Sequence, residues 1–253
     1  MLSYFSNPAR FEGFARWASP VALIVLFVSL IFAVPMGLYF SPEDYQQGHT
    51  VRIMYVHVPA AIMAELVFGF IATMSLTAFV WRHTLADACA RAAAGPGAIF
   101  AFLTLLTGSI WGHPTWGTWW VWDARLTSML ILFLTYIGYI AVWQMGTDEA
   151  KSARLARIVG LVGFINVPIV KFSVDWWKTL HQQASILKEG GPSIHPSMLW
   201  PLGLMALVYM ALFAWFVLAG VRASIYEKRL ARGAQRTASR PIAVDDTMTG
   251  KGA

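Results

Sequence analysis

The chain has 253 residues, of which 57% are hydrophobic and only 13% charged, with a formal net charge of +6. That balance excludes an ordinary soluble domain and belongs to lipid-embedded proteins. The excess of base does not require nucleic acid, because anionic lipid headgroups are its simpler partner.

A spanning helix needs roughly 20 largely apolar residues, and six segments approach or exceed that length: 20–40, 58–81, 92–111, 126–145, 155–174 and 198–221. The expected fold is an all-α integral membrane bundle of six transmembrane helices. The first segment follows Arg10 and Arg16 as a signal peptide would, but its apolar run is too long and no small-residue cleavage site follows. It reads as a retained helix. In the fifth segment, Asn166 and Pro168 predict a distortion that neighbouring helices can absorb. Connections are short, so residues 1–221 form one transmembrane domain. Residues 222–253 read as a basic tail, helical at first and then disordered. Lys and Arg gather on the cytoplasmic side of short loops. Fourteen fall on the side of the termini, against five on the other (Arg52, Arg125, Lys171, Lys178 and Lys188), which predicts that both termini are cytoplasmic.

Five of the six histidines (His49, His57, His113, His181 and His195) lie in or beside outer connections. Polar loops tolerate histidine at interfaces, but such a collection also suits metal or cofactor chemistry. Between Trp111 and Arg125 the chain places five tryptophans within twelve residues, together with two glycines and a proline. An interfacial aromatic belt needs only one or two per helix end. This density suggests instead a shallow shelf for a large, flat, apolar ligand, and porphyrin fits that description. A porphyrin iron held rather than used for oxygen chemistry takes imidazole ligands. His57, beside Pro59 at the start of the second span, is the first candidate. His181, beyond the fifth span, is the second, with His195 and His113 as rivals. Arg52 and Arg125 are the outer arginines able to bind propionates, unless each only pairs with a nearby acid, as Arg125 can with Asp123. Glu65 lies roughly 12 Å below His57 at 1.5 Å per residue. An acid at that depth is a functional candidate by default, unless it pairs with a polar group such as Asn166. The single Cys89 excludes a CxxCH heme attachment and an intrachain disulfide.

These residues carry a resemblance. The run Trp116, Gly117, Thr118, Trp119, Trp120, Val121, Trp122 and Asp123 is the signature of the heme-handling WWD proteins, and Ala124 to Ser128 extends it. With the His-Val-Pro-Ala-Ala setting of His57, the Pro-Glu-Asp-Tyr-Gln-Gln-Gly run at 42–48 and the Lys-Thr-Leu-His-Gln run around His181, the chain resembles the heme exporter protein C (CcmC) family of cytochrome c maturation across all six spans. The resemblance implies a Trp-rich segment that binds heme b non-covalently at the periplasmic face of the bacterial inner membrane. It implies His57 and His181 as the axial pair and the Trp116–Asp123 run as the cofactor-binding segment. It also implies delivery to a periplasmic heme chaperone, beside ATP-binding cassette transporter subunits and a small membrane subunit. No Walker motif is present, so ATP hydrolysis falls to a partner, and the chain itself reads as a holder, not an enzyme. Larger heme lyases share the signature but have more spans and larger outer domains. A membrane b-type cytochrome would carry histidine pairs within its spans, and a mere scaffold would bind no heme.

Overall fold

Lipid offers no water to peptide groups, so an apolar segment crosses a bilayer only if its backbone bonds to itself. The computed structural model describes residues 6–181, 186 and 190–238. Among these the chain is all-helical: α1 (Pro8–Pro35), α2 (Met54–Trp81), α3 (Thr84–Trp116), α4 (Ala124–Met145), α5 (Glu149–Gly163), α6 (Asn166–Trp176) and α7 (Pro196–Ala238). Since α5 and α6 share one crossing, six segments are long and apolar enough to span a membrane, and the chain is a multi-pass membrane protein. Lys188 and the end of the tail from residue 239, with Arg240 and Lys251, lie outside the described residues, so the disorder expected late in the 222–253 tail falls there.

The helices overrun the apolar windows because their flanks are themselves good helix formers. The Ala-rich start of α3, where His83 Nδ1 accepts from the Ala86 amide, begins at Thr84 rather than 92. At its other end α3 continues through Trp116, so residues 111–116 are helical, not part of a connection, and Pro114 does not break them. The helix stops at Gly117, whose φ of +74° is the left-handed cap geometry that glycine adopts freely; its amide donates to the His113 carbonyl at 2.9 Å. The fifth crossing breaks at residues 164–165, beside Asn166 and Pro168. Asn166 Nδ2 donates to the Ser128 carbonyl of α4 at 2.8 Å. The Asn166 amide is therefore spent on α4 and is not a partner of Glu65.

Small residues set the packing, as close approach between spanning helices requires. Gly97 of α3 faces the ring of Tyr136, whose hydroxyl donates to the Ala64 carbonyl at 2.7 Å, so one side chain ties α2, α3 and α4. At one end of the bundle Glu12 of α1 accepts from Tyr226 at 2.6 Å and pairs with Arg229 at 2.8 Å, joining the first and last helices. Asp87 and Arg157 form a two-point ion pair between α3 and α5. The opposite end, called outer below, collects the remaining connections. There Arg52 donates to the Leu38 and Ser41 carbonyls, and Trp111 Nε1 donates to Gln47 Oε1 at 2.9 Å.

The glycines give a paired test. A Cβ at Gly97 would overlap the Tyr136 ring, whereas one at Gly95 meets nothing within 4 Å. Gly97→Ala should cost about 1–3 kcal/mol through overpacking, and Gly95→Ala should be neutral or stabilising by up to ~1 kcal/mol. Thermal unfolding of both variants in detergent checks this.

Candidate functional site

A cavity of about 820 Å³ opens between α2, α3, α4 and α6, and its lining brings together residues distant in sequence. His57 from α2, Trp111 and Trp116 from α3, Trp120 from the following connection, Arg125 from α4, Lys171 from α6 and His181 from beyond α6 all border it. Its size falls within the range of small-molecule sites, as does its mostly apolar wall with a few convergent polar groups.

Each histidine turns Nδ1 toward an oxygen of another segment. Thr107 Oγ1 donates to the Leu103 carbonyl at 2.6 Å, so its oxygen accepts from His57 Nδ1 at 3.0 Å. That bond fixes the proton on Nδ1 and leaves Nε2 with a lone pair. The His57 ring has room because α3 carries glycine opposite it: a Cβ at Gly108 would lie 2.9 Å from His57 Cε1. His181 Nδ1 lies 3.5 Å from Asp123 Oδ2, an ion-pair distance too long for a well-formed hydrogen bond, and Trp116 packs edge-on against its ring with centroids 4.8 Å apart. Burial pushes the His181 pKa below the ordinary 6.5, against the opposing pull of Asp123 and with Arg125 acting in the same direction as burial. Burial therefore favours the neutral ring. Both rings border the same cavity.

The rival histidines are elsewhere. His113 stacks on Trp119, with centroids 4.2 Å apart; His195 bonds to Ser197 Oγ at 2.7 Å; His49 pairs with Glu43 at 2.9 Å. None of the three borders the cavity. Among the described residues no group of three or more His, Cys, Asp or Glu comes together to hold a metal ion. Two imidazoles suit the axial positions of a metalloporphyrin, whose four ring nitrogens supply the remaining ligands.

The tryptophans do not form a single shelf. Trp116 and Trp120 wall the cavity, while Trp119 and Trp122 are 57% and 75% exposed and stay outside it. Trp122 meets Trp120 edge-on at 5.5 Å. Gly117 ends α3, and the Thr118 hydroxyl holds the connection by donating to the Trp120 carbonyl at 3.0 Å. Val121 is half-buried and does not line the cavity. Asp123 has two roles: Oδ1 caps α4 by accepting from the Leu126 amide at 2.8 Å, and Oδ2 faces His181. The arginines divide as well. Arg125 lines the cavity and, among the described residues, makes one long bond, 3.5 Å to the Lys171 carbonyl, whereas Arg52 is outside it and occupied with Leu38 and Ser41. Sequence reading passed over Thr107, Gly108, Trp111 as a wall and Lys171. Gly108 and Gly112, one helical turn apart on either side of Trp111, were the available signal: a Cβ at Gly112 would meet the Trp116 ring at 3.0 Å.

Fold and site together define a multi-pass membrane protein with a paired-histidine, tryptophan-walled cavity at one end of its bundle. The sequence model of heme exporter protein C (CcmC) matches residues 1–236. The heme exporter protein C of Bradyrhizobium diazoefficiens is 48% identical over 228 residues, covering 89% of this chain and 85% of that protein. Those of Haemophilus influenzae and Escherichia coli K12 are 44% and 42% identical, covering 83% and 87% of this chain and 85% and 89% of the relatives. The chain belongs to the heme exporter protein C family.

Asp123→Asn keeps a capping side chain but removes the charge facing His181, so the His181 pKa should fall further. The remaining influences are burial and Arg125, and both oppose protonation. Asp123→Ala should lose the cap too, at about 1 kcal/mol. Nitrogen NMR titration of labelled histidine separates the two effects.

Proposed function

We propose that this chain holds heme non-covalently between His57 and His181 at the periplasmic face of a bacterial inner membrane, and presents it to a periplasmic heme chaperone during c-type cytochrome biogenesis. The observation that carries this reading is the matched histidine pair. Two imidazoles from distant segments border one apolar cavity, each with Nδ1 turned to its own oxygen partner, Thr107 or Asp123. Such partners set ring orientation and ligand basicity in metal sites. Membership of a family whose relatives are named heme exporters supports the same cargo.

The residues divide the work. Trp111, Trp116 and Trp120 cover the flat apolar faces of the cargo and exclude water from them. Arg125 has donor capacity to spare for a propionate, and Lys171 adds a second cation on the same wall. With both axial positions taken by histidine, oxygen has no open coordination site while heme is held. The exposed Trp119 and Trp122 sit at the mouth, where the chaperone meets the cargo. Cytoplasmic termini follow from the fourteen Lys and Arg on that side against five on the other. With no nucleotide-binding motif in this chain, transporter subunits supply ATP hydrolysis and a small membrane subunit completes the assembly.

Absorption spectra of the detergent-purified protein, oxidised and reduced, test the reading alongside His57→Ala and His181→Ala. The parent should carry six-coordinate heme and each variant should lose or alter it. Heme indifferent to both changes would refute the ligand assignment. Thr107→Val should weaken heme iron binding by about 10–100-fold, as loss of an outer-shell partner does, without reducing protein in the membrane.

A further inference from the structure

The histidine pair and the tryptophans occupy only one end of the cavity. Along α2 its lining continues from His57 through Ile62, Leu66 and Gly69 to Thr73. Those sixteen residue steps correspond to roughly 24 Å of helix, most of the ~30 Å hydrocarbon layer. A site for heme at the outer surface has no need of that depth.

The deep part is a groove open at its side. Leu66 is 59% exposed, and Phe164 and Phe172 across from it are 40% and 45% exposed, all within crossing segments, so its rim faces lipid. The helix break explains the opening. From residue 166 onward, Asn166 fastens α6 to Ser128 of α4, so α6 follows α4 and leaves a gap toward α2. At the deep end the Phe164 ring packs over Gly69, where α2 has no side chain: a Cβ there would stand 3.5 Å from the ring, an ordinary contact distance, so only a larger side chain would fill the groove. Among the described residues, none in the connections at the terminal end lines the cavity.

Polar groups along the groove are graded. Thr73 lies deepest, Glu65 higher, and the cations Lys171 and Arg125, whose charges act on Glu65, mark the way toward the histidines. Apolar walls with cations only at the outer end suit an amphipathic tetrapyrrole dicarboxylate, its ring in the hydrocarbon and its carboxylates drawn toward the headgroups. We infer that the groove between α2 and α6 is the path by which heme enters sideways from the lipid and rises to the histidine pair. This rests on the heme-holding reading above.

The test places a bulky side chain at the gap. Gly69→Trp, expressed as the full chain with its partner subunits, should be isolated from membranes with severalfold less heme than the parent. Hemin added afterwards to the detergent-purified variant should restore the parental spectrum, because the outer mouth remains open. A variant isolated with parental heme would overturn the path and leave the groove to a lipid chain or a partner helix. A variant that also fails to take up added hemin would overturn it by making Gly69 part of the binding site. Should Gly69→Trp fail to accumulate, Phe164→Ala widens the same gap and should speed hemin uptake from loaded vesicles; an unchanged rate would equally refute the path. His57→Ala, run in parallel, keeps the two claims apart, since parental heme in that variant would sink the ligand assignment whatever Gly69 does.

Discussion

Everything in this fold depends on the absence of water around the backbone in the hydrocarbon layer. Unpaired peptide groups there cost several kcal/mol each, so the spans are helical and irregular chain is confined to the ends or to places that satisfy it locally. The connection at 117–123 is at the outer end, and its entry and exit are closed by the Gly117 cap and the Asp123 cap. The one interruption at depth, residues 164–165, survives because its flanking amides find the Val162 and Phe164 carbonyls and Asn166 reaches across to α4. That interruption lets the fifth crossing support α4 while opening a groove beside α2.

The same economy shapes the candidate site. Imidazole ligands need a fixed orientation, and each ring turns Nδ1 toward an oxygen: for His57 a threonine whose own proton is spent on its helix, and for His181 a carboxylate at ion-pair distance that also starts the next helix. Asp123 therefore couples local folding to site chemistry. The residue that begins α4 is also the one that orients His181. Glycines on α3 complete the arrangement by yielding space to His57 and Trp116, so a helix that looks merely small-residue-rich is shaped around aromatic side chains.

The six spans were legible from hydropathy, since length and apolarity alone decide which segments can cross. So was the distortion near Asn166 and Pro168, because both residues compete with regular helix bonding. The helix ends were not legible: the Ala-rich start of α3 and its Trp111–Trp116 end are helical for reasons of propensity and capping that hydropathy does not measure. The Trp-rich run was visible as a cluster but not as two populations, Trp116 and Trp120 inward against Trp119 and Trp122 outward. That division depends on where Gly117 turns the chain. Arg52 and Arg125 looked equivalent in sequence; only tertiary contacts reveal that Arg52 is committed to the carbonyls of Leu38 and Ser41. Glu65 was conspicuous as a charge in a span, yet the cations that share its cavity, Arg125 of α4 and Lys171 of α6, are brought to it only by the tertiary fold.

The central claim is that two histidines, both through Nε2, hold one iron. Pulsed electron paramagnetic resonance of the ferric protein, with histidine alone labelled with nitrogen-15, addresses it most directly. The account predicts a low-spin signal with hyperfine coupling to two labelled imidazole nitrogens, reduced to one in either His57→Ala or His181→Ala. A high-spin signal, or a single labelled ligand in the parent, would contradict it.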